Sequence, residues 1–232
     1  MSLRSVMHAA QLQFVGLHWL LAAPEGLHAT TRDESVRRRT WKYVDHFVDL
    51  CADLAASPEG KNGIVVFGSP KQRNSRDGLT PAEATDAYIN GLATAAPHAE
   101  ARGVTLLVEA LSPDQSDVVT SLAEAVSIVK QIASPAVQTM FDVHNAIAEV
   151  TPHPELIRQF LPFIKHVHVN ELDGKEPGTG NYDFASLLKC LSDAQYSGWV
   201  SLEAFDFTRD PDQIVSRSIN HLRASSPAMA SA

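Results

Sequence analysis

Six short apolar runs rich in β-branched residues, at 14–21, 63–68, 104–111, 137–143, 164–170 and 199–205, are separated by longer stretches with helical spacing. This alternation constrains the fold more than any other feature of the chain. Runs that are apolar along most of their length belong to strands buried on both faces, and their alternation with helices implies a parallel sheet under helical cover. Between them, Tyr43, Phe47, Leu50 and Leu54 recur at i, i+4, i+7 and i+11 in a helix expected over 36–54. Thr80 followed by Pro81 is an N-cap with proline at the first helical position, opening a helix over 82–102. Ser121 with Glu124 three residues on has the capping-box arrangement for a helix over 121–132. Helices over 184–195 and 211–223 complete the pattern. A doubly wound open sheet and a closed barrel both satisfy it. The chain has no GxGxxG or GxxxxGK[ST] loop, so the nucleotide-binding open sheet loses support.

A chain of 232 residues fits one domain, since a single α/β barrel commonly needs about 250 residues. Only the Ala/Ser-rich tail at 224–232 is expected to be flexible. A net charge of −8 argues against nucleic acid as partner, which normally calls for a basic footprint. Cys51 and Cys190 lack paired spacing and read as reduced, packed thiols. The longest apolar run, 17–23, is far short of the roughly 20 residues of a membrane span, and no signal peptide precedes it. These features together predict a cytoplasmic protein. Arg37–Arg39 is expected on the exposed face of a helix start.

The polar residues fall where a parallel α/β fold places its active site, at the carboxyl ends of the strands. Four successive runs each carry one ionisable group there: Glu109 in VTLLVE, Asp142 in TMFDVH, His168 in HVHVN and Glu203 in SLEAF. His144 lies two residues beyond Asp142, and alternation along a strand puts both on one face. Any one strand-end glutamate is more often a surface or ion-paired residue, and a lone His-x-His is most often unrelated to metal. Four such groups in order are harder to dismiss. A carboxylate in an apolar strand costs several kcal/mol unless paired or bound to a cation. One divalent ion at a common centre would offset all four burials. Three carboxylates and one imidazole suit Mn²⁺ or Mg²⁺ better than a thiolate-loving metal, with Zn²⁺ or Co²⁺ left open.

LLVEAL, TMFDVHN, HVHVNELDG with PGTG, and GWVSLEAF resemble the last four strands of the xylose-isomerase-like TIM-barrel superfamily. The closest group is its sugar phosphate isomerase/epimerase branch, which includes ketose 3-epimerases and hydroxypyruvate isomerase. The resemblance implies that Glu109, Asp142, His168 and Glu203 bind one divalent metal. Two departures concern the substrate. Asn145 occupies the place where the family usually has histidine, with His144 one position early, and Lys175 stands where many ketose epimerases carry an arginine. A third concerns length: the run at 14–21 aligns with the family's third strand, so the fold is expected to be a barrel shortened at its N-terminus to about six β/α units. Self-association, or a longer natural protein, would cover the exposed edges, hence an expected homo-oligomer.

The activity implied is isomerisation or epimerisation of a sugar, sugar phosphate or keto-acid. Glu109 and Glu203 would exchange a proton beside a carbonyl through an enediolate. His18, Trp19, Arg73, His144, Asn145 and Lys175 are candidate substrate contacts. Glu171 is expected to orient His168 or Lys175, and Gly178 and Gly180 to serve a turn with positive φ. A keto-cyclitol dehydratase on the same centre, or a barrel that binds metal without catalysis, are the alternatives. An apurinic endonuclease would need a multi-zinc cluster and a DNA-facing surface that this acidic sequence does not display.

Overall fold

The computed structural model describes residues 2–55, 63–206 and 208–226, so most of the expected C-terminal tail lies outside the described residues. Its elements are α1 (Leu3–Ala9), β1 (Gly16–Leu17), α2 (Glu34–Ala55), β2 (Ile64–Phe67), α3 (Pro70–Arg73), α4 (Pro81–Ala101), β3 (Thr105–Val108), α5 (Leu122–Ile132), β4 (Val137–Asp142), α6 (His153–Phe160), β5 (Ile164–Val169), α7 (Phe184–Asp193), β6 (Trp199–Leu202) and α8 (Pro211–Ser225). The six strands form one parallel sheet in chain order. The sheet curls into a half-barrel: His18, just past β1, comes within 3.2 Å of Glu203, just past β6. Those two strands stand at opposite ends of the sheet order. No described helix is long and apolar enough to cross a membrane.

Helix boundaries follow local chemistry. Thr80 caps α4 with a reciprocal Glu83 bond, and Pro81 occupies its first turn. At α5 the Ser121 hydroxyl accepts from the Glu124 N–H, while the Glu124 carboxylate takes the N–H of Thr120 rather than that of Ser121. Gln195 adopts φ 51° just beyond α7, which ends that helix at Asp193, two residues earlier than expected.

Strand alternation sorts the side chains. Val65, Phe67, Leu106 and Val108 join the outer core with Trp41, Val44, Val48 and Cys51 of α2 and Tyr88 and Leu92 of α4. Val66, Leu107 and Met140 form a separate concave-side cluster. Two expectations need correction. The buried face of α2 is Trp41–Val44–Val48–Cys51, with Tyr43 and Phe47 on its flank and Leu50 exposed. The run at 14–21 contributes only a two-residue strand, because Leu20 and Leu21 leave the sheet to enter the outer core from the turn that follows. Cys51 and Cys190 are buried free thiols, as expected.

Candidate metal centre

Parallel register gathers the four strand-end groups. Asp142 is the last residue of β4 and pairs directly with His168 of β5. Glu109 and Glu203 each follow the last residue of their strands. One ligand atom from each of Glu109, Asp142, His168 and Glu203 lies within 4.8 Å of all the others. His168 Nδ1 faces Glu203 Oε2 at 3.2 Å, Asp142 Oδ2 at 3.4 Å and Glu109 Oε1 at 3.8 Å. The convergence expected from the sequence is present.

The donor set fits a cation. His168 Nδ1 and Glu203 Oε2 are buried and have no hydrogen-bond partner, although both face the shared centre. Three carboxylates this close repel one another, and a central positive charge relieves both the repulsion and their desolvation. The titration behaviour reflects the same crowding. Burial alone would lower the pKa of His168, yet Asp142, Glu203 and Glu109 outweigh it and hold the imidazole at about 10. Burial, reinforced by the charges of Glu109 and Asp142, pushes Glu203 up to about 7 against the opposing pull of His168. Burial also opposes ionisation of Asp142, but His168 and the Asn145 N–H hold its carboxyl below the usual range.

Neighbouring residues fix these groups. Asn145 donates through Nδ2 to Glu109 Oε1 at 3.1 Å and through its backbone N–H to Asp142 Oδ1 at 2.7 Å. Gln115 in turn donates to Asn145 Oδ1 at 2.9 Å. Asn170 donates to Asp142 Oδ2 at 3.2 Å. Gly68 lies against Glu109, where a β-carbon would stand 2.2 Å from Oε2. A cavity of about 100 Å³ opens beside the centre, with Glu109, Glu203 and Asn145 meeting His18, Trp19, Gln115 and Phe205. Trp19 stacks on Phe205, and His18 reaches both glutamates. A second cleft of about 210 Å³ separates β1 from β6 and reaches His166, His168 and Glu203. The larger groove on the molecule, about 990 Å³, runs between α2 and α4 on the outer helical face and holds none of these groups.

Other expected site residues stand outside the four-group cluster, with His144 Nε2 3.3 Å from Gln115 Nε2 and its ring beside Phe205 at the cavity rim. His144 does not share a strand face with Asp142, since β4 ends at Asp142 and His144 turns into helical φ/ψ; its Nδ1 lies 2.7 Å from the Leu172 carbonyl. Lys175 is exposed and ion-paired with Asp173 at 2.6 Å. Arg73, expected as a substrate contact, is not among the residues lining the cavity. It is fully buried under the strand ends, donating to the carbonyls of Phe67 at 3.0 Å and Glu109 at 2.7 Å. Glu171 orients neither His168 nor Lys175 through its side chain; its carboxylate accepts the N–H groups of Gly178 and Tyr182 and ties down the loop after β5. Gly178 does have a positive φ of 91°, whereas Gly180 is needed for closeness, a β-carbon there standing 2.5 Å from Glu171 Oε2. Gln115, Gly68 and Phe205 were not read as site residues in the sequence: Gly68 and Phe205 close the apolar runs at 63–68 and 199–205, and Gln115 sits in a loop. Asn170 had a signal, its alternation with His166 and His168.

The chain is 28% identical over 213 residues to a protein of Streptomyces coelicolor assigned as a hydroxypyruvate isomerase, the match covering 87% of this chain and 72% of that protein. It is 30% identical over 117 residues to the D-psicose 3-epimerase of Agrobacterium fabrum, covering 50% of this chain and only 39% of the relative's length. The 3-keto-D-glucoside 4-epimerase of E. coli has the same fold, with a TM-score of 0.82 at 18% identity over 95% of this chain and 82% of that one. The family profile of the xylose isomerase-like TIM barrel matches residues 2–225, and the chain belongs to that family.

Proposed function

We propose that this protein is a divalent-metal-dependent sugar epimerase or isomerase that moves a proton beside a carbonyl. The observation that carries the reading is the pairing of Glu109, which is buried, and Glu203, whose side chain is 10% exposed, both lining the small cavity beside the four-group cluster. Relatives that are ketose 3-epimerases support the same class. Glu109, Asp142, His168 and Glu203 would hold the cation, which supplies Lewis-acid polarisation of the substrate carbonyl when bound. One glutamate accepts the proton from the carbon beside that carbonyl. The C–H electron pair becomes the new C–C double bond, and the carbonyl oxygen takes up the charge as an enediolate. The other glutamate returns a proton to the opposite face for epimerisation; return to the neighbouring carbon gives aldose–ketose isomerisation. Asn145 holds Glu109 in place for this exchange, and the Trp19–Phe205 stack offers an apolar wall for a sugar ring or chain.

Among the described residues no lysine or arginine lines the cavity, which favours an uncharged sugar over a sugar phosphate or keto-acid. The test is solvent deuterium incorporation into a panel of ketoses, aldoses, sugar phosphates and keto-acids, with protein loaded with each divalent ion in turn. Glu109→Gln and Glu203→Gln are each expected to lower exchange by about 10²-fold or more. Exchange at the wild-type rate in either variant would overturn that residue's role, and exchange confined to phosphorylated substrates would overturn the preference for neutral sugars.

A further inference from the structure

Asn145 Nδ2 donates to Glu109 Oε1 at 3.1 Å, but packing alone does not aim it there. The oxygen and nitrogen ends of a side-chain amide are nearly the same size, so only their partners decide which one meets a carboxylate. Reversed, the amide would turn its oxygen on a group that can only accept. The partner at its other end is Gln115, in the loop after β3, whose Nε2 lies 2.9 Å from Asn145 Oδ1 and 3.3 Å from His144 Nε2. His144 Nδ1 stands 2.7 Å from the Leu172 carbonyl, so Nδ1 carries the hydrogen and Nε2 is left as an acceptor. Both groups facing Gln115 Nε2 therefore call for a donor, and Ser112 Oγ accepts from the same nitrogen at 3.0 Å. The backbone of Gln115 is anchored too. Its N–H donates to the Ser112 carbonyl at 2.9 Å, and its carbonyl accepts from Asn74 Nδ2 at 3.1 Å.

We infer that Gln115 is a positioning residue for Glu109, its amide fixing the orientation of Asn145 so that an N–H meets the carboxylate. The inference rests on the reading of Glu109 as a group that exchanges a proton with the substrate. His144 keeps the chain of bonds from reversing. Were the Gln115 amide turned over, its oxygen would face Asn145 Oδ1 and His144 Nε2. Asn145 could turn with it, but His144 could not, because Leu172 holds its hydrogen on Nδ1. The direction of one hydrogen bond in the loop after β5 thus reaches Glu109 through two amides.

Four variants test this. Gln115→Glu keeps the shape of the side chain but, ionised, offers only acceptors, so Asn145 must reverse to donate to it. Gln115→Met keeps the length and offers neither donor nor carboxylate. Asn145→Ala and the double variant Gln115→Glu/Asn145→Ala complete the set, and thermal melts check that all are folded. With the most active ion and substrate of the deuterium panel, Gln115→Glu is expected to lower kcat by about 10- to 100-fold with KM little changed. Gln115→Met should lower it by less than about 5-fold. On top of Asn145→Ala, Gln115→Glu should cost no more than about 3-fold, since no amide remains to reverse. A second readout needs no substrate. In ¹H–¹⁵N spectra recorded in Mg²⁺ buffer, the Asn145 side-chain N–H signals are assigned by their loss in Asn145→Ala. They should exchange with solvent about 5-fold or more faster in Gln115→Met than in wild type. Equal losses of kcat in Gln115→Glu and Gln115→Met would mark a packing role and overturn the inference. A Gln115→Glu loss that persists undiminished without Asn145 would also overturn it, being what the added charge alone produces. Unchanged Asn145 amide exchange in Gln115→Met would overturn it whether or not a substrate is found. Faster amide exchange in that variant, beside a wild type that labels no substrate, would leave the orienting of Asn145 standing and bring down the proton-exchange reading of Glu109.

Discussion

Substituting Gly68 by alanine should disable the metal centre with little loss of fold. The added β-carbon would stand 2.2 Å from Glu109 Oε2 and 3.9 Å from His18 Nε2. Ordinary contact needs that first separation to open by roughly 1 Å. Glu109 has little freedom to give way, being 2% exposed and bonded to Asn145 at 3.1 Å. A misplacement of about 1 Å at a reacting group lowers rates by about 10²-fold, and metal affinity should fall by about 10- to 100-fold, as when the support of a ligand is lost. Overpacking should lower stability by only about 1–3 kcal/mol. Gly91→Ala is the control: there the β-carbon would sit 1.8 Å from the Trp41 ring, in the outer core. Calorimetric metal titration, solvent deuterium exchange and thermal melts would be run on both variants. The expected result is a dissociation: Gly68→Ala loses metal affinity and exchange with a modest shift in Tm, while Gly91→Ala loses Tm and keeps metal affinity per folded molecule. Wild-type metal affinity in Gly68→Ala would refute the reasoning, because Glu109 would then be free to move or would not be a ligand.

Arg73→Met removes the guanidinium that satisfies the carbonyls of Phe67 and Glu109; leaving buried acceptors unpaired costs about 1–3 kcal/mol each, so urea unfolding should shift clearly, and an unchanged midpoint would contradict the assignment. Glu171→Ala frees the N–H groups of Gly178 and Tyr182, so amide hydrogen exchange at those two positions should accelerate while the β5 amides stay protected. His28 is held down to about 4, first by burial and then by the charge of Arg76. Between pH 6.5 and about 4 the unfolded chain therefore takes up a proton that the folded one refuses, and stability should fall as the pH drops through that window. His28→Gln should flatten this part of the stability–pH curve, and an identical slope would show that other groups control it.

The sequence by itself settled those features that depend on short-range repetition. Short runs apolar along most of their length, alternating with amphipathic stretches, determined the parallel sheet and its helical cover. Thr80-Pro81 and Ser121 determined two helix starts, because capping is a contact among neighbours. The convergence of the four strand-end groups was legible for a related reason: in a parallel sheet, equivalent places on successive strands arrive at one rim, so position in the run stands in for position in space. Contacts between distant segments carry no such signal. Nothing near Arg73 shows that it will be sealed beneath β2 and β3, and nothing near Lys175 shows that it will remain in solvent. Only the fold decided that Glu171 would tie down a loop, that Leu20 and Leu21 would abandon their strand for the outer core, and that Gly68 must leave room for Glu109. The approach of His18 to Glu203 belongs to the same group. It depends on how far six strands curl, and that curvature comes from the summed twist of the sheet rather than from any local run of residues.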